Sequence, residues 1–303
     1  MNVQSRKLSG VLLTMSSALL YGGLPVFSNF AYLAGGNAET FNFYKSAWAL
    51  PVLLALVLIR RQSLRLSGKL FGWAILAGFL AKGIVSLFLF LSYNYISGGA
   101  ATTLHFMYPL FVALFGRVLF KNKMPFYKWA TLLLATLSVA LFIDADAGVG
   151  NIRGIFYAVL SGVLYAGYIM VVDKSGLSEV DPFVFAFYLA ASGSVFSLVY
   201  GCVSGTFLFD LPVKAGLYGA GAAIATSVIA AACFQRGIRY LGGISASFFS
   251  LLEPVASCLL GAVFLREGIG GRMAAGILLI LGSEVMMLWL DGKREKRKAE
   301  VGM

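Results

Sequence analysis

Long apolar runs alternate with short polar segments along almost the whole chain. Ten of these runs reach the roughly 20 residues that an α-helix needs to cross the hydrocarbon core of a bilayer. Because the runs are continuous, and because lipid cannot satisfy open strand edges, they predict helices rather than a β-barrel. The predicted spans are Leu8–Phe30, Phe41–Ile59, Leu70–Ser92, Gly99–Phe120, Phe126–Ile143, Ile152–Val172, Pro182–Val203, Ala215–Phe234, Gly243–Leu265 and Gly271–Leu290.

The composition predicts the same class of protein. Hydrophobic residues make up 59% of the chain and charged residues 12%, and the mean hydropathy is +0.85. A soluble domain carries about 25% charged residues. The first run is too long for the apolar part of a signal peptide, so we interpret it as a retained helix. We therefore expect an all-α integral membrane protein with ten transmembrane helices.

The distribution of Lys and Arg predicts the orientation. With the N-terminus in the cytoplasm, seventeen of the 24 Lys and Arg residues lie on the cytoplasmic side, four lie outside and three lie within spans. Such a bias is typical of multi-pass proteins of the cell (inner) membrane, and ten spans place both termini in the cytoplasm. The net charge of +11 then reflects topology and contact with the lipid bilayer, and it calls for no nucleic-acid partner.

The two halves of the chain resemble each other at an offset of 144 or 145 residues. The matching pairs are Gly10 with Gly154, Ser17 with Ser161, Tyr21 with Tyr165, Gly23 with Gly167, Phe43-Tyr44 with Phe187-Tyr188, Tyr95 with Tyr240, Gly98 with Gly243, Pro109 with Pro254, and Gly116 with Gly261. This series predicts two five-helix repeats, 1–148 and 149–292, followed by a basic cytoplasmic tail at 293–303. Because five is odd, the second repeat is expected to be inverted, as in many secondary transporters, although a channel can also use this arrangement.

A signature recurs near the end of each half. In the second half it is Ser250-Leu-Leu-Glu-Pro-Val255, Gly261 and Arg266-Glu267-Gly268. In the first half it is Phe106-Met-Tyr-Pro-Leu110, Gly116 and Lys121-Asn122. With Lys45 in the second span and Asp173-Lys174 closing the sixth, the chain resembles the EamA-type ten-helix members of the drug/metabolite transporter superfamily. It departs from them at Tyr108 and Asn122, where acidic residues are common, and at Tyr21, where Trp is frequent.

The resemblance implies export of amino acids, other small metabolites or drugs, without a cofactor and without ATP. The signature is apolar and loose, so it indicates a fold better than a substrate. The substrate site of such a fold is expected near the membrane midplane, between the two halves.

Two charged residues are predicted near the middle of spans, where a charge is costly and usually faces a cavity or a partner. Lys82 could bind an anionic group, pair with an internal acid, or be purely structural. Glu253 precedes Pro254, which frees a backbone carbonyl. Glu253 could titrate, bind an amine, pair with Lys82, or hydrogen-bond within the protein. Together, Lys82 and Glu253 would suit the two charges of a zwitterion.

Other ionisable residues have weaker claims. His105, the only histidine, could relay a proton or serve as a hydrogen-bonded packing residue. Glu284 could take part in proton coupling or simply reach the membrane interface. Lys45 and Arg117 lie nearer span ends and are expected to snorkel towards the interface.

Repeat-related tyrosines are further candidates for substrate binding. Tyr21 matches Tyr165, and Tyr44 matches Tyr188, while Tyr168 shares a helix face with Tyr165. A buried phenol needs a partner for its hydroxyl. A polar cavity or an interhelical hydrogen bond would supply one.

Signals for an enzyme are lacking. The chain has no phosphate-binding loop ending in Gly-Lys-Ser/Thr, no paired-His metal motif and no Gly-x-Ser-x-Gly elbow. Cys202, Cys233 and Cys258 are not spaced as a zinc site or a disulfide framework. We therefore predict no catalytic residue, no metal and no cofactor.

The leading hypothesis is a secondary transporter that exports a small metabolite, such as an amino acid or a similar zwitterion, by alternating access. It could be proton-coupled through Glu253, His105 or Glu284. The alternatives are a multidrug transporter, a transporter of lipid-linked substrates, an intramembrane enzyme and a non-transporting membrane scaffold. The protein is expected to be a monomer or a homodimer.

Overall fold

The computed structural model describes residues 3–96, 98–142, 151–266 and 268–300, and within these ranges the chain is helical without a strand. The α-helices are α1 Val3–Gly22, α2 Leu24–Leu33, α3 Ala38–Ala47, α4 Ala49–Ile59, α5 Gly68–Gly78, α6 Val85–Tyr93, α7 Gly98–His105, α8 Tyr108–Val118, α9 Phe126–Val139, α10 Ile152–Lys174, α11 Pro182–Ser204, α12 Val213–Ala222, α13 Ala231–Leu241, α14 Gly243–Phe249, α15 Leu252–Leu260 and α16 Gly271–Glu300. Three π-helical segments, Phe79–Ile84, Ala223–Ala230 and Gly261–Leu265, continue α5, α12 and α15.

Eight helical stretches in the described chain are long and apolar enough to cross a membrane, so the protein is a multi-pass membrane protein. They are Ser5–Leu33, Ala38–Ile59, Gly68–Leu89, Ile152–Lys174, Pro182–Ser204, Val213–Leu241, Gly243–Leu265 and Gly271–Arg294. The predicted fourth span is broken into α7 and α8, and the predicted fifth span corresponds to the shorter apolar helix α9. Ten membrane helices and an inverted repeat therefore stay predictions. Ile143, the boundary at 148, Glu267 and the tail beyond 300 lie outside the described residues.

Two helices continue past the predicted ends of their membrane spans. The eighth predicted span ends at Phe234, but its helix runs to Leu241, where Gly242 adopts a positive φ of 77° and ends the helix. The tenth predicted span ends at Leu290, and its helix continues as α16 to Glu300. Lys, Arg, Glu and Ala favour helices, so the basic tail extends the helix instead of ending it.

Several helix breaks come just before a proline, and two of them are repeat-related. α7 ends at His105 and α8 begins at Tyr108, whereas α14 ends at Phe249 and α15 begins at Leu252. Pro109 and Pro254 thus fall in the first turn of α8 and α15, where the missing N–H would have no intrahelical partner anyway. The two breaks allow each following helix to take a new direction beside the centre of the bundle.

Close helix contacts occur at repeat-related glycines. A Cβ added to Gly10 of α1 would lie 2.8 Å from the Leu241 Cγ, and a Cβ added to Gly154 of α10 would lie 2.8 Å from the Ile96 Cγ2. Gly154 follows Gly10 by 144 residues, and Leu241 follows Ile96 by 145. Small residues at such contacts let helix backbones approach closely.

Backbone irregularities recur at the same offsets. The π-helical segments beginning at Phe79 and Ala223 are 144 residues apart. Residues with a positive φ recur at the same offset, since Arg61 (φ 51°) precedes Gly205 (φ 70°) by 144 residues. These local features recur at the offset of the sequence matches, and the two-repeat organisation stays a prediction.

Ion pairs join several elements at the face where α1 begins and α16 continues, which we call the terminal face. Asp291 of α16 lies 3.4 Å from Lys7 of α1 and 3.0 Å from Lys128 of α9, and it accepts a hydrogen bond from the Tyr127 hydroxyl. These contacts place the start of α1, the start of α9 and the last part of α16 on one side of the bundle.

Candidate functional site

A cavity of about 560 Å³ penetrates the bundle from the face opposite the terminal face. Its outer wall includes Tyr32 at the end of α2 and Ala38 at the start of α3, and its inner end reaches Tyr21 and Glu253. Its polar and charged lining residues are Tyr21, Ser28, Tyr32, Asn42, Lys45, Ser86, Thr102, Thr103, Ser257 and Glu253. The volume lies within the range of about 300–1,000 Å³ that is common for small-molecule sites.

Lys45 lines this cavity, and the prediction that it snorkels to the interface is wrong. Its exposed fraction is only 6%. α3 is enclosed by its packing against α11 and α12, and a Cβ added to Gly219 of α12 would touch the Tyr44 Cβ at 3.4 Å. The sequence position of Lys45 indicates how far it lies from the span end, but the packing of α3 decides that its side chain faces inward.

Lys82 lies beside the inner end of the cavity. Its Nζ lies 5.4 Å from the centroid of the Tyr21 ring, within the range of a cation–π interaction. Lys82 also lines a crevice of about 20 Å³ that shares Asn42 and Ser86 with the cavity. The π-helical segment Phe79–Ile84 carries Lys82, and such segments are frequent at functional sites.

Glu253 lies in the first turn of α15, where the positive end of the helix dipole favours a carboxylate. α15 packs closely on α1, since a Cβ added to Gly22 would lie 2.6 Å from the Ala256 Cβ. Among the described residues, no Lys82–Glu253 ion pair shorter than 4.0 Å is formed. The hypothesis of a direct structural pair is therefore not realised in this conformation.

His105 lies outside the cavity lining, and its ring packs against those of Tyr108 and Tyr165. The Ser161 hydroxyl donates to the Ala158 carbonyl at 2.6 Å, so the 2.9 Å contact with His105 Nδ1 is best made by an Nδ1–H donor. This geometry agrees with the alternative of a hydrogen-bonded packing residue.

The predicted tyrosines divide into two groups. Tyr21 lines the cavity, whereas Tyr44, Tyr165 and Tyr168 do not belong to the lining that the described residues form. Tyr165 stacks edge-on against Tyr108 with ring centroids 4.7 Å apart, and its ring also lies 5.4 Å from that of Tyr168. These two phenols therefore pack against other aromatic rings and do not belong to the cavity wall.

Glu284 does not reach the interface, contrary to the second prediction for it. Its exposed fraction is 2%, and both carboxyl oxygens lack a hydrogen-bond partner within the described part of the chain. It lies on α16, which packs along α9, and is not among the residues that line the cavity. Counting residues from the span end did not reveal that this side chain is buried within the protein.

Several cavity residues carried no distinctive sequence signal. Asn42, Ser86, Thr102 and Thr103 are small polar residues within apolar runs. Such residues often bond to their own helix, as Thr14 does to the Gly10 carbonyl at 2.9 Å. Sequence alone therefore could not separate cavity-lining hydroxyls from those that are satisfied locally. The described residues also contain no group of three potential metal ligands.

Apolar helices long enough to cross a membrane thus surround a cavity lined by Lys45 and Glu253, as expected of a membrane transporter. The chain belongs to the EamA-like transporter family, whose sequence profile it matches at residues 8–143 and 152–289. Membership of this family identifies it as a transporter and not an enzyme, and it agrees with the predicted resemblance.

Relatives and a solved structure agree with this assignment. The chain is 27% identical to the "Uncharacterized transporter YcbK" of Bacillus subtilis, over 95% of this chain and 96% of that protein. It is 27% identical to an "Uncharacterized transporter" of Archaeoglobus fulgidus, over 71% of this chain and 78% of that protein. A protein crystal structure superimposes with a TM-score of 0.77 at 20% identity, covering 95% of this chain and 99% of that one, which shows the fold alone.

Proposed function

We propose that this protein is a secondary transporter that exports small metabolites, such as amino acids or similar zwitterions, by alternating access. The observation that carries the proposal is the cavity of about 560 Å³, whose inner end lies at Tyr21 and Glu253, each well inside a helical stretch long enough to cross a membrane. A non-transporting scaffold would be expected to have a closed midplane, so the cavity argues against that alternative.

The terminal side of the cavity is closed by contacts between the two halves of the chain. Tyr108, at the start of α8, lies 2.5 Å from the Ser250 hydroxyl, at the break before α15. Transport would require these contacts to separate while the opposite face closes. Two related halves that exchange conformations would achieve this change.

The two ends of a zwitterion match the charges beside the inner end of the cavity. Glu253 would bind the ammonium group, and Lys82 would bind the carboxylate. Because Lys82 and Glu253 are not directly paired, a substrate inserted between them would not have to break an existing ion pair.

Glu253 is also the best candidate for proton coupling. Of the three residues considered, Glu253 lines the cavity, whereas His105 and Glu284 are not part of its lining. One carboxylate that binds either a proton or the substrate ammonium would make the two compete, which is a simple basis for exchange. Proton movement into the cell would then be coupled to substrate movement outward.

The test is counterflow of radiolabelled amino acids in proteoliposomes, with and without an imposed pH gradient. Glu253→Gln should abolish transport of ammonium-bearing substrates and remove any response to the gradient. Asp210→Asn, which alters an exposed carboxylate on the face where the cavity opens, serves as the control. Unchanged transport by Glu253→Gln would refute the assigned role, and a rate indifferent to the gradient in the unaltered protein would exclude coupling.

A further inference from the structure

We propose that Lys45 is a specificity residue that binds an additional anionic group, so that the preferred substrate is an ammonium-bearing dicarboxylate of the acidic amino acid type. This inference rests on the proposed transport function and narrows its substrate class. It starts from the juxtaposition of two lysines and one glutamate around the cavity.

The environment of Lys45 does not supply an anionic partner. Lys45 is 94% buried by its neighbours, since its exposed fraction is 6%, and yet it lines the cavity. In the described chain, no carboxylate lies within 4.0 Å of its ammonium group. A buried cation without a partner is costly, so such a residue usually faces a ligand or a pathway.

The carboxylates near the two lysines do not include a partner for Lys45. Lys45 and Glu253 line the cavity, and Lys82 lies beside its inner end, where its Nζ lies 5.4 Å from the centroid of the Tyr21 ring. A zwitterion whose carboxylate binds Lys82 would leave Lys45 without an anion, whereas a substrate with a second carboxylate would supply one.

Glu39 is the other carboxylate near these residues. It lines the crevice that contains Lys82 and lies in the first turn of α3. It precedes Lys45 by six residues, a rise of about 9 Å along the helix, which places it nearer the cavity opening. Glu39 therefore lies near the cavity opening and is not placed to neutralise Lys45.

The surroundings of Lys45 offer further polar groups. Asn42 lies one turn before Lys45 on the same face of α3 and also lines the cavity. The Asn42 side-chain amide donates to the Ser197 hydroxyl at 2.8 Å, which holds it in position. Ser86 lines the cavity on α6. A carboxylate at Lys45 would thus be bound in a polar corner distinct from the Glu253 end.

The experiment compares isosteric probe pairs that differ by one negative charge, L-glutamate with L-glutamine and L-aspartate with L-asparagine. Each unlabelled probe is tested for counterflow and for thermal stabilisation of the purified protein in detergent. Three variants are compared with the unaltered protein: Lys45→Met, Lys45→Arg and the control Lys214→Met, which removes an exposed positive charge near the start of α12.

The unaltered protein should prefer the acid of each pair by about 10-fold or more, because a hydrogen bond to a charged group is worth a factor of this order. Lys45→Met should lose that preference while still accepting the amide, because Lys82 and Glu253 remain. Lys45→Arg should keep most of the preference, and Lys214→Met should keep all of it.

Equal preference for acid and amide in the unaltered protein would overturn the inference. An acid preference that survives in Lys45→Met would also overturn it. In both cases, counterflow of any amino acid by the unaltered protein would leave the proposed transport function standing. Absence of counterflow and of stabilisation for all four probes would overturn the inference as well and would, in addition, count against amino acid transport itself.

Discussion

The hydrogen bond between Tyr108 and Ser250 offers a direct test of how the terminal side closes. The Ser250 hydroxyl donates to the Ser247 carbonyl at 2.8 Å, so its single proton is already used. The Tyr108 hydroxyl must therefore be the donor in the 2.5 Å contact with Ser250. Tyr108→Phe removes that donor and leaves the rest of the buried ring in place.

The size of the effect follows from the burial of the bond. Tyr108 is only 1% exposed, and a hydrogen bond of this kind contributes about 1 kcal/mol. If the bond is present only when the terminal side is closed, its loss shifts the equilibrium towards the terminal-open state by about fivefold. We expect the terminal-open state to be a minor one in the unaltered protein, so the assay has to detect that state specifically.

A cysteine at Val172 would be such a reporter. Val172 is fully buried on the closed side and follows Ser28, which lines the cavity, by 144 residues. In a background without the three native cysteines, Val172→Cys should react with an impermeant maleimide from the terminal side about fivefold faster when Tyr108→Phe is added. Tyr218→Phe, near the opposite face where Tyr218 stacks on Phe30, should change nothing. An unchanged or slower rate in Tyr108→Phe would refute this mechanism of closure.

Three further predictions concern packing, burial and orientation. Gly10→Val should lower the free energy of unfolding by about 1–3 kcal/mol, because the added side chain overpacks against α13. Gly282→Val should not, because the space around Gly282 is open. Equal melting temperatures for the two variants would contradict this prediction. Glu284→Met removes a buried carboxyl that has no hydrogen-bond partner in the described chain. It should raise the free energy of unfolding by about 1–3 kcal/mol and with it the melting temperature. A fall in melting temperature would show that the carboxyl is stabilising. In intact cells, Phe209→Cys should be labelled by an impermeant maleimide and Ser63→Cys should not, and the reverse pattern would invert the predicted topology.

Part of the site could be predicted from residue chemistry alone. Tyr21 and Glu253 were predicted as substrate-binding residues, and both line the cavity. Glu253 is predicted as a site residue because burying an uncompensated charge in a membrane-spanning run costs free energy, whichever direction the helix face points. Lys82 stood out for the same reason, and it lies beside Tyr21 at the inner end.

Other assignments depended on the direction in which a helix face points. Lys45 is expected to reach the interface, as is Glu284 in one of its two predicted roles, but both side chains are buried in the protein. Tyr165 and Tyr168 lie on a predicted helix face, yet that face packs against Tyr108 and other aromatic residues. The local sequence indicates how far a residue lies from a span end, but it does not indicate which neighbouring helix packs against a given helix face.

The apolar runs of the chain are enough to identify a helical membrane protein, because backbone hydrogen bonds must be satisfied within each span in lipid. Which polar residues meet around one cavity depends on the tertiary structure, as does the burial of Lys45 in its wall. That arrangement depends on the rotation and packing of helices from distant parts of the chain, which the pattern within a single span does not contain.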